Sequence, residues 1–125
     1  MQLFITEFKK IIIPLCIFFV FFVIDLITGI IKGKYIEGIQ SEKLRATIPK
    51  FCGYVGMLLM AYFLDCLILT STDINYSPIA LISVIFFCIT EVKSIVENAQ
   101  ILGVKTPVFI TDIITMLSEK FNKKG

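Results

Sequence analysis

Three acidic side chains, Asp25, Asp65 and Glu91, lie within or directly beside runs of apolar residues in a chain of 125 residues. A carboxyl group in such surroundings can bind a proton, pair with a cation or accept hydrogen bonds. Placing it at the centre of a bilayer costs about 2.5 to 3.5 kcal/mol on insertion scales, so it faces a helix bundle, an aqueous cavity or a partner. The plainer alternative is a neutral, hydrogen-bonded acid, or one that reaches the interface from near a helix end. Other chemistry is scarce. Histidine is absent, which excludes an imidazole general base, a His-dependent triad and a His-ligated metal site. Cys16, Cys52, Cys66 and Cys88 stand singly in apolar runs, without the paired spacing of a zinc or redox motif, and read as buried free thiols. No enzymatic activity, cofactor or metal is expected.

The elements that must position these acids follow from composition. The chain is 57% hydrophobic and 18% charged, with a mean hydropathy of +0.90, far from a soluble average. A net charge of +2 from dispersed basic residues gives no nucleic-acid surface. The expected fold is an all-α membrane protein, one domain over residues 1–125, with three transmembrane helices and a C-terminal amphipathic interfacial helix. Segment one, Ile11 to Ile31, holds sixteen Leu, Ile, Val and Phe residues, each contributing roughly −0.3 to −0.6 kcal/mol against about +3 for Asp25, so it should insert alone. Lys9 and Lys10 precede it as in a signal peptide, but no small-x-small cleavage site follows, and a retained helix is expected. Segment two, Phe51 to Leu69, has nine such residues with Gly53, Gly56 and Asp65; its sum is near zero and it needs partners.

Segment three, Ile74 to Thr90, reads as a short span whose helical pattern continues over residues 91–102 and stops at Gly103. Pro49, Pro78 and Pro107 each suit the first turn of a following helix. In the last helix, residues 107–121, Ile110, Ile113, Ile114, Leu117 and Phe121 form one apolar face with Asp112, Glu119 and Lys120 elsewhere, an interfacial pattern. Lys32, Lys34, Lys43, Arg45 and Lys50 form a basic first loop, whereas residues 70–77 carry no Lys or Arg. The first loop should be cytoplasmic, the N-terminus outside and the C-terminus inside, with Lys9 and Lys10 weighing the other way.

Depth separates the acids. Asp25 lies about six residues, or ~9 Å, from the inner end of its segment, and Asp65 about four residues from the outer end of its own. A single proton-binding ring within one protomer is disfavoured. Lys32, on the same helix face, can pair with Asp25. On segment two, Asp65 shares a face with Tyr54, Leu58, Ala61, Tyr62 and Leu69, which can line a wet path, while Gly53, Gly56, Met60 and Phe63 lie opposite and permit close helix approach. Gly29 and Gly33 match a GxxxG pair at the membrane edge. Glu91, Ser94, Asn98 and Lys105, flanked by Glu97, form a polar stripe, either a solvated face or a seam between subunits.

Taken in order, Asp25-x-x-Thr28-Gly29-x-x-Lys32, Ser41-x-x-x-Arg45 with Lys50, Asp65, and Glu91-x-x-Ser94-Ile95-x-Glu97-Asn98 with Gly103 and Pro107 resemble the phage lysis and toxin-secretion holin family, which includes clostridial toxin-export holins. The resemblance covers roughly residues 22 to 110. Thr47 stands where the family's basic motif has glycine, and only a short tail follows Phe121. The resemblance implies a homo-oligomer in the bacterial cytoplasmic membrane that opens holes for an endolysin or a large toxin. Two other readings are an ion-conducting or proton-coupled channel subunit, and a holin antagonist or scaffold that makes no hole.

Overall fold

The computed structural model describes the backbone of residues 1–34 and 41–124 and the side chains of residues 1–34 and 45–120. Ser41, Lys43 and Phe121, named above, fall outside the described side chains. The described residues form four helices and no strand: α1 (Gln2–Lys32), α2 (Ser41–Ser71), α3 (Ile79–Ile101) and α4 (Val108–Lys124). The first three are long and apolar enough to cross a membrane.

Two helices outrun their apolar segments for one reason: hydropathy marks where hydrocarbon begins, not where hydrogen bonding stops. At 1.5 Å per residue, α1 and α2 are each ~46 Å long, more than the ~30 Å hydrocarbon core. Lys9 and Lys10 therefore belong to α1. Pro49, expected near a helix start, lies inside α2, as Pro14 lies inside α1; each removes one i to i−4 bond from its ladder. Helix α3 begins at Ile79, five residues beyond the start expected for the third span. It then runs unbroken through Glu91 and ends before Gly103, whose φ of +99° is a conformation that glycine adopts without strain.

The buried positions of α1, Glu7, Ile11, Phe18, Phe22, Asp25 and Gly29, recur every three, four or seven residues and trace one face. Those of α3, Ala80, Val84, Glu91 and Asn98, do the same. These two stripes make the most extensive contact in the molecule, and α1 and α3 run in the same direction: Ile11 packs in one cluster with Ala80, while Asp25 meets Asn98. Helix α2 returns between them and contributes Ala61, Asp65 and Cys66 to the interior. The remaining apolar side chains, Phe19, Leu59 and Phe63 among them, point outward, as they must when the surrounding solvent is lipid. Cys16 and Cys52 also face outward, contrary to the expectation of buried thiols; Cys66 alone is fully buried.

After the Gly103 turn, α4 folds back along α3, tied by a hydrogen bond of 2.7 Å from Lys93 Nζ to Ser118 Oγ. Its amphipathicity is broader than the single face expected. Ile110, Ile114 and Leu117 are half-buried, whereas Phe109, Ile113 and Met116 form a second apolar stripe that is exposed.

Candidate functional site

Near the loop end of the bundle, six polar side chains from three helices gather around Asp25. Its Oδ1 accepts hydrogen bonds from Ser94 Oγ (2.5 Å) and Asn98 Nδ2 (3.1 Å). Its Oδ2 receives Lys50 Nζ at 3.2 Å. The same ammonium lies 2.9 Å from Glu91 Oε1, which also accepts Tyr54 Oη at 2.5 Å. Asn98 Nδ2 further donates to Thr28 Oγ1 at 3.0 Å. Asp25 and Glu91 are 2% and 0% exposed, so these contacts replace water. Lys50 Nζ lies 5.8 Å from the Tyr54 ring centroid and 6.0 Å from that of Phe22, within cation–π range. One cation thus links α2 to acids on both neighbouring helices.

Toward the other end, Asp65 meets a different environment. Oδ1 accepts Ser77 Oγ at 2.7 Å and the Ile79 amide at 2.9 Å, and Oδ2 accepts the Ala80 amide at 2.9 Å. These amides open α3, where the first N–H groups lack intrahelical partners and the macrodipole is positive. Asp65 therefore caps α3 from the preceding helix. This explains why α3 starts at Ile79 and not at Ile74. Close by, buried Glu7 pairs with Lys10 at 2.8 Å, and Tyr62 Oη donates to the Phe4 carbonyl at 2.6 Å. A cavity of about 30 Å³ lies among Glu7, Lys10, Tyr62, Asp65, Tyr76 and Ser77, large enough for one water.

Aromatic rings separate the two polar regions. Phe18, Phe22, Tyr54 and Phe87 interlock, with Phe18 edge-on to Tyr54 at 5.0 Å and Tyr54 against Phe87 at 4.8 Å. Such pairs add ~0.5 to 1.5 kcal/mol beyond area burial.

Several expectations change in this geometry. Among the described residues, a cation bonded to Asp25 across the bundle is Lys50; Lys32 sits seven residues along the same helix, an axial separation of ~10 Å. Lys50 is no part of a basic loop: it belongs to α2 and is half-buried between the spans. Glu91, placed by the sequence at the membrane exit, lies beside Asp25. Ser94 and Asn98 turn inward with it, whereas Glu97 is exposed and Lys105 lies beyond the end of α3. Gly29 and Gly33 are buried, while Gly53 and Gly56 face open space. Lys34 and Arg45 are exposed near the loop end.

Glu7 and Ser77 were not foreseen. Glu7 falls four residues before Ile11 on the stripe that includes Phe18, Phe22 and Asp25, and Lys50 extends the Asp65 face of α2 back one turn from Tyr54. Helical spacing alone held both signals.

Three membrane-length helices closed around internal polar groups define a polytopic membrane protein. The bacteriophage holin family model matches residues 3–119. A probable holin of Bacillus phage phi105 is 30% identical over 104 residues, covering 82% of this chain and 72% of its own. An uncharacterised protein of Clostridium perfringens is 33% identical over 111 residues, 89% of this chain and 79% of its own. Protein YqxH of Bacillus subtilis is 33% identical over 105 residues, 82% and 71%. No solved structure matches. The chain belongs to the bacteriophage holin family.

Proposed function

We propose that this chain acts as a holin: copies gather in the bacterial cytoplasmic membrane, associate laterally and open holes that release an endolysin or a large toxin. The family match over residues 3–119 carries this reading. The bundle supports it physically. A single protomer turns its span acids inward and presents apolar side chains to lipid, a form in which a lone copy is stable in a bilayer. The face with Gly53, Gly56, Met60 and Phe63 is outward and sterically open, a surface on which a second copy's helix can approach closely. Large assemblies would expose or share the polar residues Asp25, Thr28, Tyr54, Tyr62, Asp65, Glu91, Ser94 and Asn98 along a hydrated lumen or seam.

In this reading the end of the bundle that carries Lys32, Lys34 and Arg45 is cytoplasmic, the N-terminus is outside, and α4 rests at the cytoplasmic interface on its Phe109, Ile113 and Met116 stripe. The chain performs no catalytic step and needs no cofactor.

Inducible expression with a co-expressed endolysin tests the proposal. Abrupt permeabilisation and endolysin release are expected. Small-ion leakage with the endolysin retained would identify a channel subunit instead. Harmless expression that delays lysis by an active relative would identify an antagonist.

A further inference from the structure

Helix α4 does not close tightly on the bundle. Between it and the paired α1 and α3 lies a groove of about 380 Å³, bounded by Pro14 and Phe21 of α1, Leu81 and Val92 of α3, and Ile114 and Leu117 of α4. The lining is apolar, so water finds no partners there, and an empty groove would forfeit the dispersion contacts of the side chains around it. Leu81 and Val92 are 11 residues apart on α3, or ~17 Å, close to the ~15 Å of hydrocarbon in one leaflet of a ~30 Å core. The groove therefore has the depth of a single acyl chain.

Where the groove ends, a second hollow of about 190 Å³ begins. It shares Ile114 and is lined by Lys93, Glu97 and Gln100 of α3 with Thr111 and Thr115 of α4. Val92 and Lys93 adjoin in sequence, so apolar lining passes directly into polar lining, as hydrocarbon does into headgroups at a bilayer surface. Two opposite charges stand in the hollow, one helical turn apart. Lys93 Nζ is engaged by Ser118 Oγ at 2.7 Å, which leaves N–H groups of the ammonium for an acceptor on another molecule. Glu97 is exposed. A phosphate suits the Lys93 side, and a cation that can donate N–H bonds suits Glu97.

We propose that groove and hollow form one phospholipid site. An acyl chain lies between α1, α3 and α4, the phosphate meets Lys93 and the α4 threonines, and a primary ammonium in the headgroup donates to Glu97. This chemistry selects phosphatidylethanolamine. Phosphatidylcholine offers Glu97 a cation with no N–H to donate, and phosphatidylglycerol offers it no cation. The bound lipid fills the space that α4 leaves and holds that helix on the bundle of one protomer, whatever an assembly of copies releases.

Photolabelling of the full-length chain tests the site in phosphatidylcholine vesicles that contain a trace of phosphatidylethanolamine with a diazirine in one acyl chain. Label should concentrate on the groove segments of α1, α3 and α4, above that on the outward faces of α1 and α2. Making unlabelled phosphatidylethanolamine half of the lipid should lower groove labelling roughly 1.5- to 3-fold, as a competitor favoured by one exposed ion pair would; the same share of phosphatidylglycerol should not lower it. Glu97→Met should remove that selectivity while groove labelling persists. Ile89→Trp, which fills the groove with a ring, should abolish groove labelling and leave the rest, and circular dichroism checks that both variants remain helical. Even labelling around the bundle, an equal fall with phosphatidylglycerol, or selectivity that survives Glu97→Met overturns the proposal. Unlabelled groove segments beside labelled outward faces would mean that a second copy or α4 itself fills the groove, and would overturn it as well.

Discussion

Asp65 and Glu91 are both acids buried in membrane-length helices, yet they are accommodated by opposite means. Asp65 is satisfied by groups close in sequence, a serine and two amides within 15 residues. Its charge meets the end of a helix, a partner that every helix supplies. Glu91 depends on Lys50 and Tyr54 from another helix, and the same Lys50 binds Asp25 of a third. The Asp65 cap sets where one helix starts, whereas the Lys50 cluster requires all three spans in register. Local satisfaction is robust to helix movement; the cluster is lost when the helices separate.

The largest test of this contrast is Lys50→Met. Removing the cation strands two buried acids, and breaking a buried pair in this way costs about 3 to 5 kcal/mol. Unfolding in mixed micelles should report a loss of that size; a loss under ~1 kcal/mol would mean that the acids do not need Lys50. Asp65→Ala should cost less, about 1 to 2 kcal/mol, as for the loss of a capping acceptor. It should also fray the first turn of α3 in hydrogen exchange while leaving the Asp25 contacts intact.

Combining the substitutions sharpens the division. Lys50→Met with Asp65→Ala should be additive within ~0.5 kcal/mol, because the sites share no partner. Lys50→Met with Glu91→Gln should depart from additivity by more than that, since both change one network. The smallest effect belongs to Gly56→Ala. Nothing lies within 4 Å of the added Cβ, so a single protomer should gain up to ~1 kcal/mol of helix propensity. If cross-linking between copies falls at the same time, the glycine face is where they meet; unchanged cross-linking would place the contact elsewhere.

Much of this arrangement was legible before the fold. Composition and segment length gave the three spans, and a 3.6-residue period correctly divided α2 into an inward face with Tyr54, Ala61, Tyr62 and Asp65 and an outward one with Gly53, Gly56, Met60 and Phe63. The differing depths of Asp25 and Asp65 also followed from counting along the helices. What periodicity cannot supply is the register of one helix against another. Nothing in the spacing of α3 states that Glu91 lies level with Asp25, so its polar stripe read first as a solvated face, with a seam between subunits as the alternative. Lys50 was obscured because a basic residue beside a proline, next to an apolar run, looks like part of a loop. Helix starts were displaced where an outside group decides them, as Asp65 does at Ile79.

The aromatic layer of Phe18, Phe22, Tyr54 and Phe87 has an electrical consequence. Lys10 and Asp25 lie 15 residues apart on α1, or ~22 Å, and apart from Cys16 the side chains that α1 places between them are rings and aliphatic groups that carry no charge. Each protomer is in this respect an insulator with polar terminals, across which a membrane voltage falls without driving a current. A membrane can fill with separate copies and keep its potential. Under the proposed function, discharge would require the helices to part or new conducting surfaces to form between copies.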